Sequence, residues 1–222
     1  MYPYDIVFVL NDTYKLVVNL EQPFEQLPCY CQMTISFYED YKEYVLNFDE
    51  DLESSMDRFV KHLTKVLHND FFLHESIKED IGYLHNEYLK YALDNKNDEG
   101  RLNPDLVYEG EFDNWVGEYY QLWSYRQCAA WMYNDSDGAI IFSITPRYQG
   151  FFDSEEKLVT ISSYEEWIKS YKPIIVCIIS REIAYQWLEQ AHKILTYIQD
   201  RFNVSIKDKD DNKIIYEDCP RN

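Results

Sequence analysis

Between Tyr133 and Phe142 the chain reads YNDSDGAIIF, with Asp135 and Asp137 two positions apart and Gly138 directly behind them. Carboxylates at that spacing before a glycine open a calcium loop, in which oxygen ligands stand at positions 1, 3 and 5, a glycine at 6 and a bidentate glutamate at 12. With Gly138 at position 6, Asp137 and Asp135 take positions 5 and 3, but position 1 is Tyr133 and position 12 is Ile144. The first and the bidentate ligand are missing, and the flanks read as strands where helices should stand. The alternative is a hairpin turn, because Asp-Gly accepts the positive φ angles of a tight turn between twisted strands. The residues therefore predict a hairpin with Asp137-Gly138 at its tip, joining a strand through Trp131 to one through Phe142.

Other chemistry is equally sparse. His62, His68, His74 and His85 fall in one helical region, yet no two stand three or four apart, as ligands on one helical turn would. They read as surface or packing residues. Cys29 and Cys31 form one pair, with no second pair at the spacing of a zinc site. The six glycines are too scattered to cradle a phosphate, and there is no G-x-S-x-G elbow. The expectation is a protein with no catalytic residues, no metal and no cofactor. One alternative stays open: Trp115, Tyr120, Trp123, Arg126, Trp131 and Arg147 would frame a pocket for a small molecule or an enzyme reaction if they converge. Against it, an arginine among aromatics commonly packs its stem on a ring.

Composition points instead to the surface. Asp and Glu number 40 against 21 Lys and Arg, a net charge of −19. Residues 1–111 carry −14 of this, with 23 acids and 9 bases, and residues 112–222 carry −5. Such a field repels nucleic acid and acidic membranes and attracts basic partners. The plainer reading is that acidity keeps the protein in solution. The excess gathers in two stretches that also hold aromatics. In 39–57 stand Glu39, Asp40, Glu43, Asp49, Glu50, Asp51, Glu53 and Asp57 against Lys42, with Tyr38, Tyr41, Tyr44 and Phe48 interleaved. In 94–118, Asp98, Glu99, Glu109, Glu111 and Asp113 are among the acids, and Tyr108, Phe112 and Trp115 lie between them. Charge steers encounter and aromatic anchors supply short-range affinity. The expected partner surface is Glu39, Asp40, Tyr41, Glu43, Asp49, Glu50, Asp51 and Glu53, with Asp98, Glu99, Tyr108, Glu109, Glu111 and Asp113. The local alternative is a helix N-terminus and a solvated loop, each acidic for its own reasons.

The elements that must position these residues follow from periodicity. Residues 5–11 and 14–20 read as a hairpin around the turn chemistry of Asn11-Asp12, and 31–37 and 44–48 extend it to an antiparallel meander. Leu52, Met56, Phe59, Val60, Leu63 and Leu67 recur at helical spacing. A second helix is expected from about residue 75 to 93, and an exposed loop over 94–104. Residues 115–125, 127–133 and 139–145 read as strands, the last ended by Pro146. Ser163 and Glu166 form a capping box for a short helix ending before Pro173. Ser180 caps a long helix whose stripe runs from Ile183 through Trp187 and Leu195 to Phe202. The fold class expected is α+β, an antiparallel sheet packed by about four helices, with a long C-terminal amphipathic helix. Residues 1–206 are expected to form one domain, with a subdivision near 94–114 left open, and 207–222 a peripheral hairpin or tail. No apolar run approaches the roughly 20 residues of a membrane helix, and the odd count of 5 cysteines argues for reduced thiols and a cytoplasmic protein.

Two segments, AAWMYNDSDGAIIFSITPRY and SYEEWIKSYKP…ISREIAYQWLEQAHKIL, place a hairpin before a short capped helix and a terminal helix bearing Trp187. Together with the acidity, the aromatics and the lack of a catalytic signature, this organisation resembles that of bacterial immunity proteins. The resemblance is one of type and transfers no site residue. It implies a non-enzymatic protein that neutralises a basic toxin, such as a nuclease, by occupying or flanking its active site. A variant of that expectation is DNA mimicry, which the concentration of acids in one half of the chain disfavours.

Overall fold

The structure, a computed structural model, describes residues 4–23, 26, 33–48, 51–95, 102–110, 114–151 and 162–202. The first four strands form the expected meander. Strand β1 (Ile6–Val9) pairs with β2 (Tyr14–Leu20), which pairs with β3 (Met33–Glu39), which pairs with β4 (Lys42–Phe48), in the sheet order β1-β2-β3-β4. The β1–β2 turn is set by Asn11, whose Oδ1 accepts from the N–H groups of Thr13 and Tyr14 at 2.9 Å each, the Asx turn that lets a short side chain replace a backbone acceptor.

Helix α1 (Leu52–His68) begins at Asp51, whose carboxylate accepts from the Ser54 N–H at 3.2 Å, and ends at Asn69 in the left-handed region at φ 58°. Helix α2 (Ile81–Asp94) starts about six residues later than its apolar pattern predicts. Asp80 is the reason: its Oδ1 accepts from Gly82 N at 2.9 Å and Tyr83 N at 3.1 Å, while residues 74–80 turn locally, with Ile77 N–H donating to His74 O. A pair of two-residue strands, β5 (Tyr108–Glu109) and β6 (Asn114–Trp115), leads into a 3-10 turn at Val116–Tyr120. The strand expected over 115–125 is thus shortened to β7 (Gln121–Tyr125). The Trp115 indole folds back over Gly117, where a Cβ would lie 2.3 Å from the ring.

The second sheet has the order β10-β9-β8-β7, all antiparallel, with β8 (Cys128–Asn134), β9 (Ile140–Pro146) and β10 (Ile175–Ile179). Its edge strand β10 is absent from the sequence expectations. In the run IIVCII every residue is apolar, so no alternation marks it, although in the fold Ile175, Cys177 and Ile179 are buried and Val176 and Ile178 exposed. Between β9 and β10 lies one-turn α3 (Tyr164–Trp167), where Ser163 Oγ accepts from the Glu166 N–H as expected. The chain described ends in α4 (Arg181–Phe202), at whose start Ser180 Oγ accepts from the Ile183 N–H.

The architecture is α+β. Phe37 of β3 stacks on Phe142 of β9 at 5.3 Å between ring centroids, joining the two sheets. Phe59 of α1 meets Phe8 at 5.3 Å, Trp123 at 5.1 Å and Trp187 of α4 at 5.9 Å. These rings belong to one apolar cluster that takes in both sheets and both long helices. Each such side chain, fully buried, contributes about 1.5–3 kcal/mol. Helix α4 also closes the open edge of β1: Trp187 Nε1–H donates to Val9 O at 2.9 Å and Gln190 Nε2–H to Val7 O at 3.2 Å. Among the described residues, no helix is long and apolar enough to cross a membrane.

Candidate functional site

The β3–β4 turn is built from two residues, with Glu39 paired across to Lys42. Asp40 takes the positive φ, 51°, that a two-residue hairpin requires, and a short polar side chain tolerates it better than most. Its N–H donates to Thr13 O at 2.8 Å, which ties this turn to the β1–β2 turn. Tyr41 then has nowhere to pack and is fully exposed, at 103% of its reference area. Behind the tip, Glu39 accepts from the hydroxyls of Tyr14 at 3.3 Å and Tyr44 at 3.2 Å. The pKa of the Tyr14 hydroxyl is raised by desolvation and by the neighbouring Glu39 carboxylate. Lys42 lies over the Tyr44 ring at 4.8 Å and Lys15 over that of Tyr38 at 5.2 Å. Asp40 and Glu43 remain exposed beside Tyr41.

The remaining predicted partner residues stand on other elements and have local tasks. Asp51 caps α1. Glu53 accepts from Gln199 Nε2 at 3.3 Å. The Tyr108 hydroxyl accepts from the Asn103 N–H at 3.2 Å, and its ring packs near Tyr88. Glu109 stands 3.5 Å from His74 Nε2. Asp49, Glu50, Asp98, Glu99, Glu111 and Asp113 lie outside the described residues, as do Cys29, Cys31, most of the 94–104 loop and the 207–222 tail. Among the described residues of the predicted surface, then, it is the 39–43 segment that comes together around an exposed aromatic.

The six residues proposed to frame a pocket do not converge. Trp115, Trp123 and Trp131 are at most 1% exposed and Tyr120 is 7% exposed, all inside the core. The Trp131 indole N–H donates to Thr145 Oγ1 at 2.7 Å. The two arginines do share a cleft, of about 540 Å³, with different neighbours: Glu43, Tyr44 and Val45 of β4, the 125–128 turn, residues 146–149 and Trp167 of α3. Burial pushes the Arg147 guanidinium down to about 10. Cys128, also on the cleft, donates its Sγ–H to Val45 O at 3.1 Å. Burial raises that thiol to about 12, so it is protonated near neutrality and a poor nucleophile. Tyr44, Tyr148 and Trp167 give no sign in the sequence that they meet, because they come from three separate elements.

His62 and His85 are packing residues. His62 sets its ring edge-on to Phe71 at 5.2 Å, and His85 stacks against Trp115 at 5.9 Å. Burial lowers their pKa values to about 4 and about 3, so both are neutral at pH 7. The 135–139 loop makes the predicted hairpin between β8 and β9, but its tip is Ser136-Asp137 and not Asp137-Gly138, since the closing hydrogen bond runs from Gly138 to Asp135. Gly138 N–H donates to Asp135 O at 3.0 Å, and Asp135 Oδ1 accepts from Asp137 N–H at 3.0 Å and Ala139 N–H at 2.8 Å. Only Gly138 needs a positive φ, 81°. Among the described residues, no group of three or more His, Cys, Asp and Glu side chains is placed to hold a metal ion. Compared with known proteins, the chain matches no family model, no curated protein and no solved structure.

Proposed function

We propose that the chain is a non-enzymatic binding protein whose β3–β4 hairpin end docks a basic protein, in the manner of an immunity protein that neutralises a bacterial toxin in the cytoplasm. The observation that carries this reading is Tyr41, wholly exposed between Asp40 and Glu43 at the end of a rigid two-residue turn. A tyrosine presents a large, stiff contact area with little rotamer entropy to lose, and such residues anchor interfaces. The surrounding carboxylates and the net charge of −19 speed encounter with a cation-rich surface and disfavour nucleic acid as a partner. Asp40 is held by the Thr13 carbonyl, so the anchor is presented without ordering a loop on binding. The test is capture from the native lysate of the source organism on immobilised protein, with the Asp40→Asn, Tyr41→Ala, Glu43→Gln triple variant in parallel. A basic protein retained at low salt, released by high salt and absent from the variant is expected; if that protein is toxic, co-expression should relieve its toxicity. Equal retention on both proteins, or no basic protein on either, rejects the reading.

A further inference from the structure

We infer that the free edge of β10 accepts an extended segment of the basic partner as a fifth strand of the second sheet, with apolar side chains beside Val176 and Ile178 and cationic ones on the side of Glu39. Such docking presupposes the basic partner proposed above and fixes how that partner is held.

A sheet ends in a row of unpaired N–H and C=O groups, which proteins cover with another element or guard with charges, prolines or bulges. The outer edge of β1 is covered by α4. Strand β10 is the outermost of its sheet and, among the described residues, pairs with β9 alone. Its register runs unbroken from Ile175 opposite Ile144 to Ile179 opposite Ile140, so no bulge turns it aside. No charged residue and no proline stands within it. Its 5 residues, at about 3.4 Å each, offer an added strand about 17 Å of backbone to bond.

The outward side chains are apolar. Val176 is 58% and Ile178 70% exposed, two positions apart and therefore on one face. Aliphatic residues of an added strand would stand beside them as cross-strand neighbours.

The other face of the strand looks toward carboxylate. Cys177 lies opposite Phe142, whose ring stacks on Phe37 of β3 at 5.3 Å. Glu39 is two positions beyond Phe37, on the same face of β3. Burial first, and the Glu39 carboxylate next, raise the pKa of the Cys177 thiol, in keeping with that approach. At the far end, Ile179 pairs with Ile140 beside the turn that carries exposed Asp137, and exposed Glu182 follows. Of the flanking cations, Lys172 is exposed and Arg181 donates to Leu67 O. A strand in which lysine or arginine alternates with aliphatic residues complements both faces. A second copy of this chain would instead bring another charge of −19 to the edge.

The test titrates the intact protein with a capped heptapeptide in which lysine alternates with valine. Saturable shifts of the amide resonances of Ile175–Ile179, with slower hydrogen exchange there, are expected at about millimolar concentrations or below. Proline in place of the central valine removes a donor and breaks strand pairing, and glutamate in place of lysine reverses the charge. Each change should weaken binding at least about tenfold. The Val176→Ser, Ile178→Ser double variant, altered at exposed positions, should keep the fold and bind the lysine peptide about tenfold more weakly. No saturable response at β10 up to about 10 mM, undiminished binding of the proline or glutamate peptide, or undiminished binding by the variant would each overturn the assignment. So would a dimer of the free protein that the double variant dissociates, because the edge would then belong to a second copy. In the lysate capture, a basic protein held equally by the parent and the double variant rejects strand addition alone, whereas no basic protein on the parent rejects the basic partner itself.

Discussion

At the β8–β9 turn the Asp135 carboxylate accepts from two backbone N–H groups of its own loop, and the strand leading into it is fastened to α1 by Asn134. The Asn134 side chain donates to Val66 O at 3.0 Å and accepts from the Phe71 N–H at 3.2 Å. At the β3–β4 turn the acids Asp40 and Glu43 face water, and Tyr41 stands fully exposed between them. Both turns are acidic and both contain one residue at positive φ. The first spends its carboxylate on its own backbone and its contacts on the core. The second is fixed from behind, through Thr13 and the Tyr14 and Tyr44 hydroxyls, and leaves its front unused. An acidic turn is thus scaffold or surface according to what its acceptors already hold.

The largest effect expected from breaking this contrast is at the anchored turn. Asn134→Ala leaves the Phe71 N–H without its partner and takes one of two donors from Val66 O, which keeps that of Asn69, and should cost about 1–3 kcal/mol, read as a lower urea midpoint at unchanged slope. Acid should weaken the same anchorage, because His62 packs on Phe71. The folded-state pKa values of His62 and His85, about 4 and about 3, lie below the unfolded value of 6.5. The unfolded chain therefore binds more protons in that window, and stability present above pH 6.5 is lost as pH falls. Between about pH 7 and 5 each histidine should contribute a loss on the order of 2 kcal/mol, measurable by chemical denaturation across pH. His62→Leu should flatten the slope; an unchanged slope would contradict the assignment of His62 as a neutral core residue.

Glycine exchanges should then behave differently at the two tips. Gly138→Ala meets a φ of 81° and places a Cβ 2.7 Å from Asn69 Oδ1, so a loss of about 1–2 kcal/mol is expected. Asp40→Gly removes a side chain from a positive-φ position that glycine accepts readily, and stability should change by no more than about 0.5 kcal/mol. The smallest effect on stability belongs to Tyr41→Ala, within about 0.5 kcal/mol of the parent, although it should remove retention of a basic partner. A destabilised Tyr41→Ala would mean that the tip is packed and the contrast between the turns false.

Much of the fold was legible because its amphipathic periods are clean. Leu16, Val18 and Leu20 alternate on β2, and Met56, Phe59, Leu63 and Leu67 recur on α1, all of them buried as their spacing requires. The misses have physical causes. Ile175–Ile179 carries no alternation to read, since a strand with an exposed apolar face looks like a fully buried one. At 115–120, β-prone aromatics favour a strand, whereas Val116–Tyr120 forms a 3-10 turn with the Trp115 ring packed on Gly117. On α2, Ile77 continues the apolar stripe, yet the Asp80 cap begins the helix beyond it. The site was less legible than the fold. Residue types pointed to acids, but Glu39, Asp51, Glu53 and Glu109 turn out to serve hydroxyls, a helix start, an amide and an imidazole. Aromatic content says nothing of depth, so three tryptophans that one alternative placed at a pocket are core, while Tyr148 and Trp167, far from Tyr44 in sequence, form the cleft with it.

The two hydrogen bonds from α4 to the outer carbonyls of β1 bear on how the chain is made. Val9 and Trp187 are 178 positions apart, and Val7 and Gln190 are 183 apart. A ribosome adding about 5–20 residues per second needs on the order of 10–40 s between synthesising the strand and synthesising the helix that seals it. Throughout that interval the outer carbonyls of β1 lack these two donors, and unpaired edge groups of this kind invite strand pairing between chains. Closing this edge with α4 is thus a long-range step of folding, open only once the helix has followed the strand out of the ribosome.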